Sequence, residues 1–448
     1  MSAVSPVSWG CSSESNSLLK KNKSVDIFNA KYKKNCTLMH TQPLRGLKLH
    51  ALNSSLDIIG DRIKYDDWMP LLKTISADRN LHFLSLKSRH SPGTVIIEHV
   101  NTEKQAREFT KGSILFTKYM LEKVVEAFAA CITVSKTLMC LEFQSIPLQY
   151  EAMNILSEAL SKTNCLQHLV LQHCNIGDEG CKLISKALRN QPTVQTIDLS
   201  NCEITEQGAF YIAELIKVQE IARFGECWKH SLRYREVSHE IISGLRRIIL
   251  NNNPNIGDKG LQSIVLVLCD DFWIRALDMQ NCGITDLGCT AIINLISMNN
   301  KIVVFDIRKN PIQDQNKVTE IFHLLFSHSS PCERAEYGWL KIEPSSSSSS
   351  SNVSMISTLT YGSRRHKLPF QAKSLKSVGI NKSIARAKSE NINLCKTKSS
   401  PGRISTASKN SVATWQQFSR EKIEFEKSAN ATEYPYYNRF LEIEKLKG

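Results

Sequence analysis

Cys174, Cys202 and Cys282 sit in near-identical surroundings, "LQHCNI", "LSNCEI" and "MQNCGI". Thiols recurring in one local context are what a soft metal ion or a disulfide framework would use. The 14 cysteines of the chain form no CxxC pair, however, so zinc ribbons and thioredoxin-like redox chemistry lack support. His168, His173 and His230 are scattered and read as ordinary polar residues. Nucleotide, metalloprotease and nucleophile-elbow signatures (GxxxxGK[ST], HExxH, GxSxG) are absent, and no spaced cluster of metal ligands takes their place. The expectation is no catalytic residue, no metal, no cofactor and no small-molecule substrate. A different role for the recurring cysteines has to be sought in the elements that carry them.

Aligned on those cysteines, the chain repeats. Leu138, Leu166 and Val194 open copies 28 residues apart, as do Ile274 and Ile302, while Leu245 opens a copy 29 residues before Ile274. Upstream, Leu81 and Asn53 open two further copies, giving about eight. The pattern L-x-x-L-x-L-x-x-(C/N)-x-(I/L) is a leucine-rich repeat. Its apolar residues alternate inward along a short strand. The next slot holds Cys174, Cys202, Cys282, Asn253 or Asn310, each expected to turn inward and bond the backbone of the turn. A buried free cysteine packs as a small hydrophobe, which favours this reading over metal or disulfide. A small residue (Ala152, Gly180, Gly208 or Gly288) and an amphipathic stripe follow, enough for a full helix per repeat. The fold class is therefore α/β: a ribonuclease-inhibitor-like horseshoe solenoid with strands on the concave wall and helices outside. "DDWMPLLKTI" (66–75) supplies the first repeat's helix; "NKVTEIFHLLFS" (316–327) supplies the last, and "ERAEYGWLKIE" reads as a cap.

The domain layout follows from composition. Residues 1–25 read as a disordered N-terminus, and 26–343 as the repeat domain with its caps and insertions near 88–115 and 217–244. Residues 344–420 read as a disordered Ser/Lys/Arg-rich tail, and 421–448 as a mixed-charge segment without sustained heptads. Over 361–420 thirteen Lys/Arg face Glu390 alone, a net +12 against +14 for the whole chain, so the solenoid is close to neutral. Such a tail suits an acidic polymer or surface: nucleic acid, acidic lipid or tubulin. No secretory signal and no stretch of 18 apolar residues is visible, so the expectation is a reducing compartment and no membrane span.

Two surfaces are candidates for binding protein partners. On the strands, the residue between the inner apolar positions is Asp57, Ser85, Glu142, Val170, Asp198, Ile249, Asp278 and Asp306 in order. Two places on stand Gln144, Gln172, Asn251, Gln280 and Arg308. Glu142, Asp198, Asp278, Asp306 and Arg308 would form a concave face suited to a basic partner segment; equally, solvated strand positions tolerate any polar residue. The second insertion adds 23 residues to a 28-residue repeat, since Val194 and Leu245 stand 51 apart. It carries Trp228, Arg233, Tyr234 and Arg235, residue types that anchor interfaces. The competing reading is a loop folded over the helices with Trp228 buried.

The stretches "ECWKHSLRYR" (226–235), "GLRRIILNNN" (244–253), "WIRALDMQNCGIT" (273–285) and "VVFDIRKNP" (303–311) together resemble the seventy-eight-kilodalton centrosomal protein family. The similarity runs from about Asp26 to Trp339, through "GDRIKYDDWMPLL" (60–72). It implies a non-enzymatic scaffold at the centrosome, centriole and basal body, active in cilium assembly and in regulating a centrosomal ubiquitin ligase. Its partners would be centrosomal or ciliary proteins, ligase subunits among them. The family carries a coiled coil beyond the repeats, which this chain is expected to lack. Two other readings stand beside it. One is a Ran-type GTPase-activating solenoid with Arg89 or Arg308 facing the nucleotide; the other is nucleic-acid binding through the basic tail.

Overall fold

The computed structural model describes residues 27–45, 47–50, 54–90, 95–231 and 242–329, without the side chains of 48–50 and 229–231. Eight parallel strands follow the eight repeat starts: β2 (Ser55–Ile59), β3 (Phe83–Lys87), β4 (Cys140–Gln144), β5 (His168–Gln172), β6 (Thr196–Asp198), β7 (Arg247–Ile249), β8 (Ala276–Asp278) and β9 (Val304–Asp306). Each pairs only with its neighbours in chain order. The register places one repeat position beside the next: Leu141 faces Leu169, Leu169 faces Ile197, Ile197 faces Ile248 and Ile248 faces Leu277. All five are fully buried and form one continuous apolar ladder. One strand was not anticipated. β1 (Lys48–His50) runs antiparallel to β2 and extends the sheet at its first edge.

The helices lie on the other side of each repeat: α2 (Tyr65–Ser76), α4 (Lys118–Val134), α5 (Tyr150–Leu160), α6 (Gly177–Leu188), α7 (Glu206–Ser231), α8 (Gly257–Leu268), α9 (Asp286–Met298) and α10 (Gln315–His328). Strands repeat every ~4.8 Å and packed helices every ~8–10 Å, so stacking both in one unit bends it, with the strands inside. The small residue early in each helix has a steric cause. A Cβ at Gly288 would fall 2.5 Å from Ile284 Cγ2 and 2.5 Å from Asp258 Oδ1 of the preceding repeat. Asp258 uses that closeness: its carboxylate accepts from Thr285 N (2.9 Å) and Thr285 Oγ1 (2.5 Å), and Asp178 holds Thr205 in the same way. A first-turn aspartate therefore ties each of these repeats to the next.

At the first edge, residues 27–38 form helix α1, which buries Phe28, Tyr32 and Cys36. The insertion near 88–115 packs on the helical side as α3 (Glu103–Glu108), a 3-10 turn (Ile114–Phe116) and a parallel bridge between Glu98 and Thr117. Its Arg107 lies 5.3 Å over the Tyr65 ring of α2. The second insertion differs from the loop expected. Helix α7 runs on for 26 residues, against 12 in α6 and α8, and carries the first half of the inserted segment as helix. The stripe after Gly208 announces the first turns of this helix but not its extension, where the buried positions are the polar Gln219, Glu220 and Arg223. The expected C-terminal cap at 333–343, the tail and the final segment lie outside the described residues.

Candidate interaction surfaces

The recurring slot is structural. Cys174, Cys202, Cys282 and Asn253 are fully buried. Each donates to a carbonyl of the preceding repeat: Cys174 to Phe143 O (3.4 Å), Cys202 to Leu171 O (2.8 Å), Asn253 to Leu199 O (3.0 Å), Cys282 to Leu250 O (3.1 Å) and Asn310 to Met279 O (2.8 Å). The asparagines also accept. Asn253 Oδ1 receives Cys202 N (3.0 Å) and Ile204 N (3.2 Å), and Asn310 Oδ1 receives Cys282 N (2.7 Å) and Ile284 N (3.1 Å). Burial pushes the Cys202 and Cys282 thiols up to about 12 and Cys174 well above its ordinary value. They are neutral donors at pH 7, and a neutral thiol is neither a nucleophile nor a metal ligand. The described cysteines are all free, and no group of three or more His, Cys, Asp or Glu converges among the described residues.

The concave face holds the predicted acidic row, but not as an open wall. Asp198, Asp278 and Asp306 are 6%, 3% and 2% exposed, and each is held by a neighbour. Gln172 Nε2 donates to Asp198 at 2.6 Å, as does Ser200 Oγ at 2.6 Å. Arg247 Nε reaches Asp278 at 2.7 Å. Arg308 forks onto Asp306 through Nε (2.9 Å) and Nη2 (2.7 Å), and Gln280 adds a third donor. Nearer the first edge, Lys87 bridges Asp57 (3.7 Å) and Glu142 (3.1 Å). Burial raises the Asp198 and Asp278 carboxyls, against the pull of these donors. The acids and the amide-or-basic row thus interlock across adjacent strands, and the solvated, unsatisfied wall expected for a basic partner is largely consumed internally.

The residues considered for chemistry are arranged for structure. Arg308 is committed to Asp306. Arg89 sits at the slot position of the second repeat, where its N–H bonds Asp61 Oδ2 at 2.9 Å. Ser88, His90 and Asp61 share a corner, yet Ser88 Oγ donates to Asp61 (2.6 Å) while His90 Nε2 stands 3.9 Å from the same carboxylate. The hydroxyl is bonded to the carboxylate and accepts the His90 backbone N–H (3.0 Å), so the trio acts as a turn clamp. The hollow between α4 and α5 lined by Leu121, Pro147 and Ala152 has room for about one water.

The insertion offers the more exposed surface. Trp228 is 66% exposed near the far end of α7, which rules out the reading that buried it. Arg233, Tyr234 and Arg235 lie outside the described residues. One turn before Trp228, Phe224 (36% exposed) packs edge-on against Phe272 at 5.7 Å and against the buried Trp273 at 4.9 Å. Phe272, 41% exposed, was missed in the sequence. Its signal was the pair "FW" at 272–273, where the neighbouring repeats read "NC", "PT" and "NK". Beneath these rings lies a buried polar root. Arg223 sits 5.4 Å over Trp273, 3.8 Å from Asp271, and donates to Gln219 Oε1 (2.6 Å) and Leu245 O (3.2 Å). Gln219 in turn donates to Leu188 O at 2.8 Å, and Asp271 accepts from Trp273 N and Ile274 N.

A family model described as Leucine Rich repeat matches residues 163–185, 190–213, 245–265 and 271–292. Centrosomal protein of 78 kDa from Xenopus tropicalis is 38% identical over 315 residues, 70% of this chain and 42% of that protein. The Mus musculus protein of the same name is 32% identical over 349 residues, 78% of this chain and 44% of its own length. A Drosophila melanogaster protein named Protein Cep78 homolog is 33% identical over 295 residues, 65% of this chain and 36% of its own. The chain thus spans less than half the length of these relatives. Among solved structures, an internalin from Listeria monocytogenes covers 65% of this chain at 9% identity and a TM-score of 0.19, too low to bear on the fold. The chain is a leucine-rich-repeat protein, and over that domain it resembles the seventy-eight-kilodalton centrosomal protein family.

Proposed function

We propose that the chain is a non-enzymatic, protein-binding scaffold of the centrosome, acting at the centriole and basal body in cilium assembly. Its relatives are named for the centrosome, which supports the location. The observation that carries the binding role is the long α7, which holds Trp228 66% exposed on an aromatic platform and breaks the length of every neighbouring helix. Large exposed aromatic groups on a rigid support are what protein interfaces use as anchors. Regulation of a centrosomal ubiquitin ligase is the finer part of this proposal, with ligase subunits among the partners held. Imaging a tagged chain against a centriole marker tests the location, and a diffuse signal in ciliating cells would count against it. Trp228→Ala should lower recovery of centrosomal partners about tenfold while the thermal unfolding midpoint stays put. Recovery equal to wild type removes α7 from the proposal.

A further inference from the structure

The exposed aromatic platform belongs to a longer edge. Phe224 and Trp228 are one turn apart on α7, and Phe272 follows the end of α8. Met298, the last residue of α9, is 46% exposed, and Phe326, in the last turn of α10, is 38% exposed. Met298 and Phe326 are 28 residues apart and hold the same position in successive repeats. Exposed apolar side chains therefore recur along the edge where α7 to α10 end and the chain turns back toward the strands. The Arg223 root holds the platform rigidly, so little ordering would be lost on binding.

The charges on this edge favour one kind of occupant. Its acids are withdrawn or paired: Glu220 and Asp271 are 3% and 1% exposed, and Asp270 lies 3.9 Å from Lys217. Its bases sit in the helix-to-strand turns. Arg246, Arg275 and Lys301 are half-buried there, and the Arg246 guanidinium donates to the carbonyls of Trp273 and Ile242. Glu226 is the opposing exposed acid on α7. An apolar stripe flanked by net positive charge is complementary to apolar side chains interleaved with carboxylates.

We propose that the edge formed by Phe224, Trp228, Phe272 and Met298 binds an acidic, amphipathic segment of another protein. Its leucine or aromatic side chains pack on the platform, and its carboxylates face Arg275 and Lys301. The inference rests on the scaffold reading only in taking the ligand to be a protein, and it stands whether or not the chain reaches the centrosome. A random 16-residue peptide library displayed on phage, selected on the full chain and counter-selected on a Trp228→Ala/Phe272→Ser double variant, tests it. Counter-selection removes peptides held by the basic tail, which both proteins carry. The expected outcome is enrichment of peptides alternating Leu, Phe or Trp with Asp or Glu. Their affinity should fall about tenfold with Trp228→Ala alone, and also with Lys301→Glu, and should weaken as salt is raised. Because Phe272 also packs inside the fold, Trp228→Ala, at a mostly exposed position, keeps the test independent of folding. Basic or uncharged winners, no enrichment, or peptides whose binding survives Trp228→Ala but fails in Arg308→Ala would overturn the proposal.

Discussion

Asn253 joins two turns with one amide. It donates to Leu199 O and Leu250 O and accepts from Cys202 N and Ile204 N, all out of reach of water. Cys202 in the same slot donates but offers those amides no acceptor of comparable strength. Asn253→Ala should therefore cost about 3 kcal/mol, because it orphans buried donors and acceptors, while Cys202→Ala costs about 1. Urea unfolding midpoints at constant slope would rank the two. Both roles were legible in the sequence, since each residue stands eight places after its repeat start, Asn253 after Leu245 and Cys202 after Val194. What the sequence withheld was the fate of the acidic row: residue types give Asp198 and Asp278, but nothing in their spacing says that Gln172 and Arg247 reach across to them. Glu220 was equally hidden. It is 3% exposed on α7, its Oε2 lacks a hydrogen bond, and burial pushes its carboxyl up to about 7 despite Lys217 at 3.2 Å. A carboxyl raised from about 4.5 to about 7 on folding binds more protons in the folded state between those values. Stability is thus lost as pH rises from about 4.5 to about 7 and stays at the lower level above it. Glu220→Gln should remove this slope, leaving the variant less sensitive than wild type by on the order of 2 kcal/mol between pH 5 and pH 8 in thermal melts.

Among the elements, α7 shows how an insertion is seated without disturbing a repeat. The inserted chain leaves along the helix and returns at Gly244, whose φ of +131° suits glycine and whose Cβ position would lie 2.2 Å from Arg223 Nη2. The returning backbone then closes the root, with Leu245 O accepting from Arg223 and Leu245 N donating to Gln219 Oε1 at 3.2 Å. Gly244→Ala should cost about 2–3 kcal/mol and raise amide exchange over 216–231 before that of α8, as read by hydrogen–deuterium exchange. Uniform protection in that variant would mean that the seat does not depend on the close approach. The regular helices were legible because each has one apolar stripe facing the strands. The extension of α7 was not, since Gln219, Glu220 and Arg223 are polar residues buried in a network that spans residues 188 to 274, and hydrophobic periodicity reads such residues as surface.

At the level of the molecule, the strand pairings and the aspartate clamps among the described residues join nearest-neighbour repeats, from the Leu–Ile ladder of the sheet to the contacts between helices. Damage should therefore propagate according to position. Ile197→Ala, in the middle strand β6, should split urea unfolding into two steps, whereas Leu325→Ala in α10 should only free the last repeat, each costing about 2–5 kcal/mol locally. Exchange protection mapped along the chain distinguishes the two, and a single cooperative transition in the Ile197 variant would contradict a nearest-neighbour architecture. The same locality has a practical side at the junction of β6 and β7. Asp198 pairs with Ile249 in unbroken register although 50 residues separate them in the chain. The strands themselves, and not the length of chain between them, set that register. A fluorescent reporter spliced directly after Ser231 would stand three residues from Trp228, leaving the sheet register intact while its emission follows occupancy of that edge.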